Sequence, residues 1–124
     1  MQHYELTIDK ILDHAAKWCS GREVISADAG KVMQRVSYSE LRTRSNHLSG
    51  ALKALGLKHG DRVGTLAWNT LDHFEMYFAI MGAGYVCHTL NPRFTVAHLV
   101  AIINEAQDRI LAAASNLLPL VAKI

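Results

Sequence analysis

The chain has 124 residues, of which half are hydrophobic, 19% are charged and only two are proline. This composition excludes a disordered or fibrous protein, and the length suits one domain that buries roughly two-thirds of its unfolded surface. The formal net charge is +2, and the basic residues are scattered among acidic ones. Because they form no basic cluster, the sequence does not predict nucleic-acid binding.

The cysteine content and the first residues indicate where the chain resides. Cys19 and Cys87 are far apart and form no Cys-x-x-Cys motif, so neither a disulfide framework nor a zinc site is predicted. No basic segment followed by an apolar stretch opens the chain, and the longest uncharged run, residues 76–92, is shorter than the roughly 20 apolar residues of a spanning helix. We therefore expect a cytoplasmic protein with no signal peptide and no transmembrane segment.

The first 36 residues predict a lead-in helix and hairpin. Apolar residues recur at helical spacing behind Thr7, a candidate N-cap, and predict a helix from residue 8 to about 17. Two strand-like stretches follow at 23–27 and 32–36, joined by the turn residues 28–30. We treat residues 1–36 as a unit of this kind and residues 37–124 as the start of an α/β subdomain.

A long helix is predicted from Tyr38. Ser37 and Glu40 form a capping-box pattern, in which each side chain would bond the other residue's free backbone N–H. Gly56 lies where a left-handed residue would end the helix. The apolar face repeats at spacings of three and four and is expected to be core: Tyr38, Leu41, Ser45, Leu48, Leu52 and Leu55.

Strands then alternate with helices. Strands are predicted at 62–68, 85–90 and 109–113, and helices from Leu71 to Gly82 or Gly84, after the cap Thr95, and from Asn116. This alternation is typical of right-handed crossovers, so the fold class is α/β, with a partial open parallel sheet covered by helices on both faces. Its unpaired edges, and a last helix that reaches Ile124, suggest a sequence belonging to something larger, and a compact small domain that ends on a helix is the alternative.

The glycine-rich stretch at Gly82 and Gly84 resembles a nucleotide-binding loop only superficially. Phosphate loops follow a strand and open a helix, whose N-terminal amides face the anion. Here the glycines follow a helix and precede a strand, and Cys87 stands where the dinucleotide fingerprint needs a third glycine. The pattern favours a helix cap and close packing of helix on sheet.

Histidine is abundant, but the spacing does not predict a metal site. No His-x-His or His-Glu-x-x-His motif occurs among the seven: His3, His14, His47, His59, His73, His88 and His98. His88 is the exception of interest, because it lies near the carboxyl end of a strand, where open α/β sheets bind ligands. Packing is the favoured role for His88, with ligand contact the alternative.

Other reactive residues have structural interpretations as well. In the Asn91-Pro92-Arg93 segment, Arg93 would carry a cation at the same edge of the sheet, although a structural turn is favoured over a substrate contact. Cys87 lies within a strand, with no nucleophile elbow nearby, and is expected to be inert. Trp18 and Trp68 are more typical of core or loop packing than of a ligand tunnel.

Six segments follow one another along nearly the whole chain: Val36–Leu41, Leu52–Val63, Ala67–Thr70, Gly82–Val86, His88–Arg93 and Asn116–Leu120. In this order they resemble the N-terminal region of the AMP-binding, adenylate-forming acyl-CoA synthetases, most closely the fatty-acid–CoA ligases. Each segment alone occurs widely by chance, whereas six joined by suitable helix and strand lengths are specific.

The resemblance implies a ligase that couples a fatty acid to CoA and converts ATP to AMP and pyrophosphate. It implies ATP, magnesium and CoA as cofactors and substrates of the full-length enzyme, which holds them with a phosphate loop, a Thr-Glu pair, a ribose-binding Asp and a Lys. None of these motifs occurs in the 124 residues. We therefore assign no catalytic, cofactor-binding or metal residue to this chain, and we expect it to be inactive alone.

Two other functions are compatible with the sequence. The chain could be a stand-alone dimerisation or interaction module derived from such an enzyme, with the remainder of the synthetase or a second copy as its partner. It could also bind a small molecule at the sheet edge near His88 and Arg93, which is the least favoured interpretation.

Overall fold

The computed structural model describes residues 3–124. Its helices are α1 (Ile8–Trp18), α2 (Tyr38–Ala54), α3 (Leu71–Gly82), α4 (Val96–Ala106) and α5 (Leu118–Val121), with a 3₁₀ turn at Ser115–Leu117. Its strands are β1 (Glu23–Asp28), β2 (Lys31–Ser37), β3 (Arg62–Leu66), β4 (Val86–Leu90) and β5 (Ile110–Ala113). No helix in this range is both long and apolar enough to cross a membrane.

The strands form two separate sheets. Strands β1 and β2 pair as an antiparallel hairpin, whose two-residue loop has φ of 46° at Ala29 and 78° at Gly30. Positive φ at both loop residues matches the twist of a hairpin, and glycine adopts it without strain. The other three strands form a parallel sheet in the order β4-β3-β5. The predicted α/β class, with its parallel sheet and hairpin, is confirmed.

Alternation along the central strand assigns the two faces of the parallel sheet. Val63 packs in one core with residues of α2 and α3, whereas Leu66 packs in another with Leu99 of α4 and Leu117. Because side chains alternate along a strand, Thr65 shares the face of Val63, and Gly64 shares the face of Leu66. Helices therefore cover both faces of the sheet, as the sequence predicts.

The lead-in elements attach to the outside of this unit. Leu12 of α1 and Val36 of β2 are buried in one cluster with Leu41 of α2 and Leu71 of α3. Burying side chains of this size stabilises the fold by roughly 1.5–3 kcal/mol each, so α1 and the hairpin are firmly anchored to the two helices.

The helix ends agree with the sequence in most details. Thr7, Ser37, Thr70 and Thr95 occupy N-cap positions, and Gly56 has the left-handed φ of 84°. Only half of the predicted capping box is found in the described residues: Ser37 Oγ accepts from the Glu40 N–H at 3.2 Å, but the Glu40 carboxylate is 3.9 Å from Arg44 instead.

One expectation about the apolar face of α2 is wrong. Leu55 is the C-cap of α2 and is 68% exposed, so the apolar face ends at Leu52. The final helix predicted from Asn116 is found as a 3₁₀ turn followed by a single α-helical turn. Pro119 has no N–H to donate to the Ser115 carbonyl, which accepts from Leu118 instead and closes a 3₁₀ turn.

Candidate functional site

The carboxyl ends of β3 and β5 and the start of α3 enclose a cleft of about 430 Å³, which we call the carboxyl-edge cleft. It is lined by Thr65, Ala67, Trp68, Thr70, Asp72, His73, Met76 and residues 112–116. The edge beyond the carboxyl ends of parallel strands is where open α/β sheets bind ligands. This cleft is therefore the candidate site of the chain.

His73 forms the wall of the cleft that faces the sheet. Thr70 caps α3 by accepting from the His73 N–H at 3.4 Å, so His73 lies in the first turn, directed at β3. Its ring nitrogens lie 3.2 Å from the Trp68 carbonyl oxygen (Nδ1) and 3.0 Å from Thr65 Oγ1 (Nε2). A carbonyl oxygen can only accept, so Nδ1 carries the hydrogen and Nε2 accepts from the Thr65 hydroxyl.

Burial sets the charge of this histidine. The residue is only 8% exposed, and burial lowers the pKa of His73, an effect that the bond to Trp68 partly opposes. A buried imidazole with both nitrogens bonded is stable as the neutral ring. His73 therefore gives the cleft a polar but uncharged wall.

The charges around the cleft do not suit a nucleotide triphosphate. Among the described residues that line it there is no lysine or arginine, and the one carboxylate, Asp72, has a side chain that is 81% exposed at the rim. Polyphosphates need cationic or backbone N–H partners. No group of three His, Cys, Asp or Glu side chains within residues 3–124 could hold a metal ion. The described side chains that line the cleft thus supply no cationic partner for a polyphosphate.

His88 lies on the opposite face of the sheet. It pairs with Gly64 across the strands, and its Nδ1 is 2.8 Å from Oδ2 of Asp108, whose side chain is 1% exposed. Since Asp108 precedes β5, this pair lies toward the amino edge of the sheet. The favoured packing role of His88 therefore agrees with the structure, in which His88 lies in the middle of β4 and contacts Asp108.

The Asp108 carboxylate rests directly against the central strand. A Cβ built on Gly64 would lie 2.7 Å from Asp108 Oδ2 and 3.2 Å from Leu111 Cδ1, so only glycine leaves room for this contact. Asp108 Oδ1 is buried and has no hydrogen-bond partner within the described residues. The bond from His88 to the other oxygen is accordingly important to the carboxylate.

Comparison with known proteins identifies the family. A model described as "AMP-binding enzyme" matches residues 12–123. The chain belongs to the AMP-binding enzyme family. A 3-methylmercaptopropionyl-CoA ligase from Ruegeria lacuscaerulensis is 44% identical over 124 residues, and a long-chain-fatty-acid–CoA ligase from Thermus thermophilus is 41% identical over the same length. Each match covers 100% of this chain and 23% of the relative, so the chain spans about a quarter of their length.

Solved structures of AMP-binding enzymes show the same fold. The anthranilate CoA ligase AuaEII, solved in complex with anthranoyl-AMP, matches with a TM-score of 0.87 and 19% identity, over 100% of this chain and 23% of its own. A fatty acyl-adenylate ligase, from work on the E. coli and L. pneumophila enzymes, matches with a TM-score of 0.85 and 28% identity, over 93% and 22%. The resemblance to the N-terminal region of acyl-CoA synthetases is confirmed.

The glycine-rich stretch of this chain has the predicted structural role. Gly82 is the last residue of α3, and Gly84 has φ of 80° with its N–H donating to the Met81 carbonyl. A Cβ on Gly84 would lie 2.6 Å from His59 Cδ2. Both the left-handed backbone and the close approach require glycine, so this stretch ends a helix.

The remaining predicted residues are separated in space. Arg93 is exposed, and its N–H donates to Asn91 Oδ1 at 3.0 Å, which confirms the structural turn. Burial raises the pKa of the Cys87 thiol, which supports the expected low reactivity. Trp68 lines the carboxyl-edge cleft, whereas Trp18 is exposed at the end of α1.

Sequence reasoning missed His73. It treats this residue only as one of seven histidines whose spacing predicts no metal site, although His73 is buried and central to the cleft. A usable signal was available: the N-cap Thr70 places His73 in the first turn of α3, and this turn follows the carboxyl end of a strand.

Proposed function

We propose that this chain is the N-terminal scaffold portion of an ATP-dependent fatty-acid–CoA ligase, which joins a carboxylate to CoA and releases AMP and pyrophosphate. The observation that carries the proposal is the 44% identity to a CoA ligase across the whole of this chain and 23% of that enzyme. The chain alone does not catalyse the reaction, and ATP, magnesium and CoA are held by other parts of the ligase.

The distribution of chemistry in the fold supports a scaffold role. The motifs shared with the synthetases occupy helix caps, turns and buried strand positions, such as the cap Ser37 and the left-handed Gly56 and Gly84. The carboxyl-edge cleft has a neutral histidine and, among the described residues, no cationic side chain to stabilise charge developing at phosphorus. Acid–thiol ligation needs such charge stabilisation, so it must come from outside these residues.

Three further properties of the chain remain predictions. These are the division into a lead-in unit (1–36) and an incomplete α/β subdomain (37–124), a cytoplasmic location, and pairing with the remainder of a synthetase or with a second copy. Each follows from the resemblance and the sequence pattern.

A chimaeric enzyme tests the proposal. The segment of the Ruegeria lacuscaerulensis ligase that matches this chain is replaced by the 124 residues, and acyl-CoA formation is measured with a panel of fatty acids, ATP, magnesium and CoA. We expect activity within about tenfold of the parent enzyme, since the exchanged part supplies packing and not chemistry. A folded chimaera with no activity on any acid would contradict the proposal.

The isolated chain provides the complementary measurement. Pyrophosphate release from ATP in the presence of a fatty acid and magnesium is expected to stay at the level of a blank without protein, and the unmodified ligase serves as the positive control. Turnover by the 124 residues alone would show that catalytic groups exist in this chain and would overturn the scaffold assignment.

A further inference from the structure

We propose that the outward side of α1 binds the surface of a bilayer rich in anionic phospholipid. We call this surface the basic aromatic face, and it consists of Lys10, Ile11, His14, Lys17 and Trp18, with Tyr4 beside it. The inference does not rest on the proposed function, because the face uses no residue of the carboxyl-edge cleft.

Helical spacing brings these side chains to one side of α1. Lys10, His14 and Lys17 recur at spacings of four and three residues, and Ile11 and Trp18 are two turns apart. Since a helix has roughly 3.6 residues per turn, the five positions form an arc on the side opposite the contacts of α1 with α2 and α3. The packing that anchors α1 therefore presents this arc outward.

The face combines exposed apolar side chains with lysine ammonium groups. Ile11 is 46% exposed and Trp18 is 68% exposed, so both would gain free energy by leaving water. Lys17 Nζ lies 5.0 Å from the centre of the Trp18 ring, and Lys10 Nζ lies 4.2 Å from the centre of the Tyr4 ring. Aromatic rings beside lysines are typical of segments at the headgroup level of a bilayer, where the ring is half buried and the ammonium group meets lipid phosphate.

The acidic residues of α1 lie toward the protein instead. Asp13 bonds Arg42 of α2, and the Asp9 Cβ is 3.6 Å from the position that a Cβ on Gly82 of α3 would occupy. The basic aromatic face therefore carries two lysines and no carboxylate of its own helix. This separation gives the face a positive potential, which complements a layer of lipid phosphates.

A bilayer suits this face better than the groove of a protein does. A helix that docks in a groove presents apolar anchors at spacings of three, four and seven residues. Here His14 lies between Ile11 and Trp18, and the two lysines flank them. A bilayer accepts such a mixed face, because it offers acyl chains and phosphates over a continuous surface and needs no matching pockets.

Trp18 fluorescence of the 124-residue chain tests this binding. Trp68→Phe leaves Trp18 as the single tryptophan. Vesicles of equal parts phosphatidylglycerol and phosphatidylcholine are the probe, and we expect a saturable blue shift of the Trp18 emission. Vesicles of phosphatidylcholine alone should bind at least about tenfold more weakly. Equal binding of the two vesicles, or no shift in a chain that circular dichroism shows to be folded, would overturn the proposal.

A matched pair of double substitutions separates the face from the net charge. Lys10→Gln combined with Lys17→Gln removes two charges from the face and should weaken binding to the anionic vesicles by about tenfold. Lys53→Gln combined with Lys58→Gln removes the same charge from exposed positions outside α1 and should weaken binding by less than about threefold. Equal losses in the two variants would show that binding follows net charge alone, and the proposal would be wrong.

A second pair of variants tests the apolar contact. Ile11→Ser should weaken vesicle binding by about fivefold, because the side chain no longer enters the apolar layer. Leu55→Ser makes a similar change at a position of α2 that is 68% exposed, and it should leave binding unaltered. If light scattering instead shows a dimer that Ile11→Ser dissociates, a second copy of the chain covers the face and the proposal is overturned.

The chimaeric ligase shows whether the face is accessible in a longer enzyme. Flotation of the chimaera with the anionic vesicles is expected, and Lys10→Gln combined with Lys17→Gln should reduce it by about tenfold. If the 124-residue chain binds the vesicles and the folded chimaera does not, another part of the ligase covers α1 and the proposal is wrong. A chimaera that floats without ligase activity contradicts the proposed function and supports the lipid-binding face.

Discussion

His73 and His88 illustrate how the two faces of one small sheet use the same side chain differently. His73 sits on a helix over one face, is neutral, and bonds a hydroxyl and a carbonyl at the carboxyl-edge cleft. His88 sits within a strand on the other face and bonds the buried carboxylate of Asp108 near the amino edge. One histidine shapes a cleft, and the other satisfies a buried acid.

The difference teaches that closeness to the end of a strand is a poor guide to a site. Successive side chains in a strand face opposite sides of the sheet, so the position of a residue along the strand decides which elements its side chain contacts. His88 pairs with Gly64 and lies on the same face of the sheet, so its side chain is directed toward α4. His73 reaches the cleft because the helix that follows β3 begins directly above the strand end.

Of the substitutions considered at these two faces, removal of the imidazole of His88 should lower stability most. His88→Ala leaves the buried Asp108 carboxylate without the hydrogen bond from the ring, and we expect the free energy of unfolding to fall by about 3 kcal/mol. Urea denaturation measures this loss. His47→Ala, at an exposed position of α2, is the control and should change stability by no more than about 0.5 kcal/mol. Equal losses in the two variants would show that the Asp108 pair contributes nothing.

Adding a methyl group to Gly64 tests the same side of the sheet from the strand. Gly64→Ala places a Cβ 2.7 Å from Asp108 Oδ2, and we expect a loss of about 2 kcal/mol in unfolding free energy. In an Asp108→Ala background the added cost should shrink, because only the 3.2 Å contact with Leu111 remains. Gly50→Ala adds its methyl in open space within α2 and should stabilise by up to about 1 kcal/mol. Strict additivity of Gly64→Ala and Asp108→Ala would contradict the contact.

The smallest effect is expected at His73 and depends on pH. Burial lowers the pKa of His73, so below about pH 6.5 the unfolded chain binds a proton that the folded chain resists. Stability should therefore decline as the pH falls through this window, by at most about 1.4 kcal/mol per pH unit from this group. His73→Gln, which keeps a donor and an acceptor, should flatten the decline when unfolding is measured at several pH values.

A second buried group acts in the opposite direction and must be separated from His73. Burial raises the pKa of Glu75, although Arg44 Nε is 2.7 Å from its carboxylate. Protonation of Glu75 thus favours the folded state as the pH falls. This effect occurs closer to the pH range in which ordinary carboxyl groups titrate. Because Glu75 is present in both proteins, the difference between the wild type and His73→Gln reports His73 alone. An unchanged pH profile in His73→Gln would show that His73 does not resist protonation.

Much of the fold could be predicted because local signals and periodicity agree. Threonine and serine caps, the glycines at 56 and 84, and the alternation of strands and helices indicate the element order and the parallel sheet. The sequence did not predict the features that depend on a contact between residues far apart in the chain. Burial of His73 depends on Thr65 across the helix–strand interface, and the direction of His88 depends on Asp108 before β5. The separation in sequence between the two residues of each contact follows no helical or strand period, so the sequence pattern does not predict either contact.

The placement of Asp108 over Gly64 also bears on how the parallel strands find their alignment. Strands β3 and β5 pair Gly64 with Leu111, and a slip of two residues would keep every side chain on its own face. Such a slip would move Asp108 over Arg62 or Leu66, where a Cβ fills the space that the carboxylate needs. Because Gly64 has no side chain, it leaves room for the Asp108 carboxylate only when β5 pairs in the observed register. This glycine therefore specifies the alignment of β5 with β3.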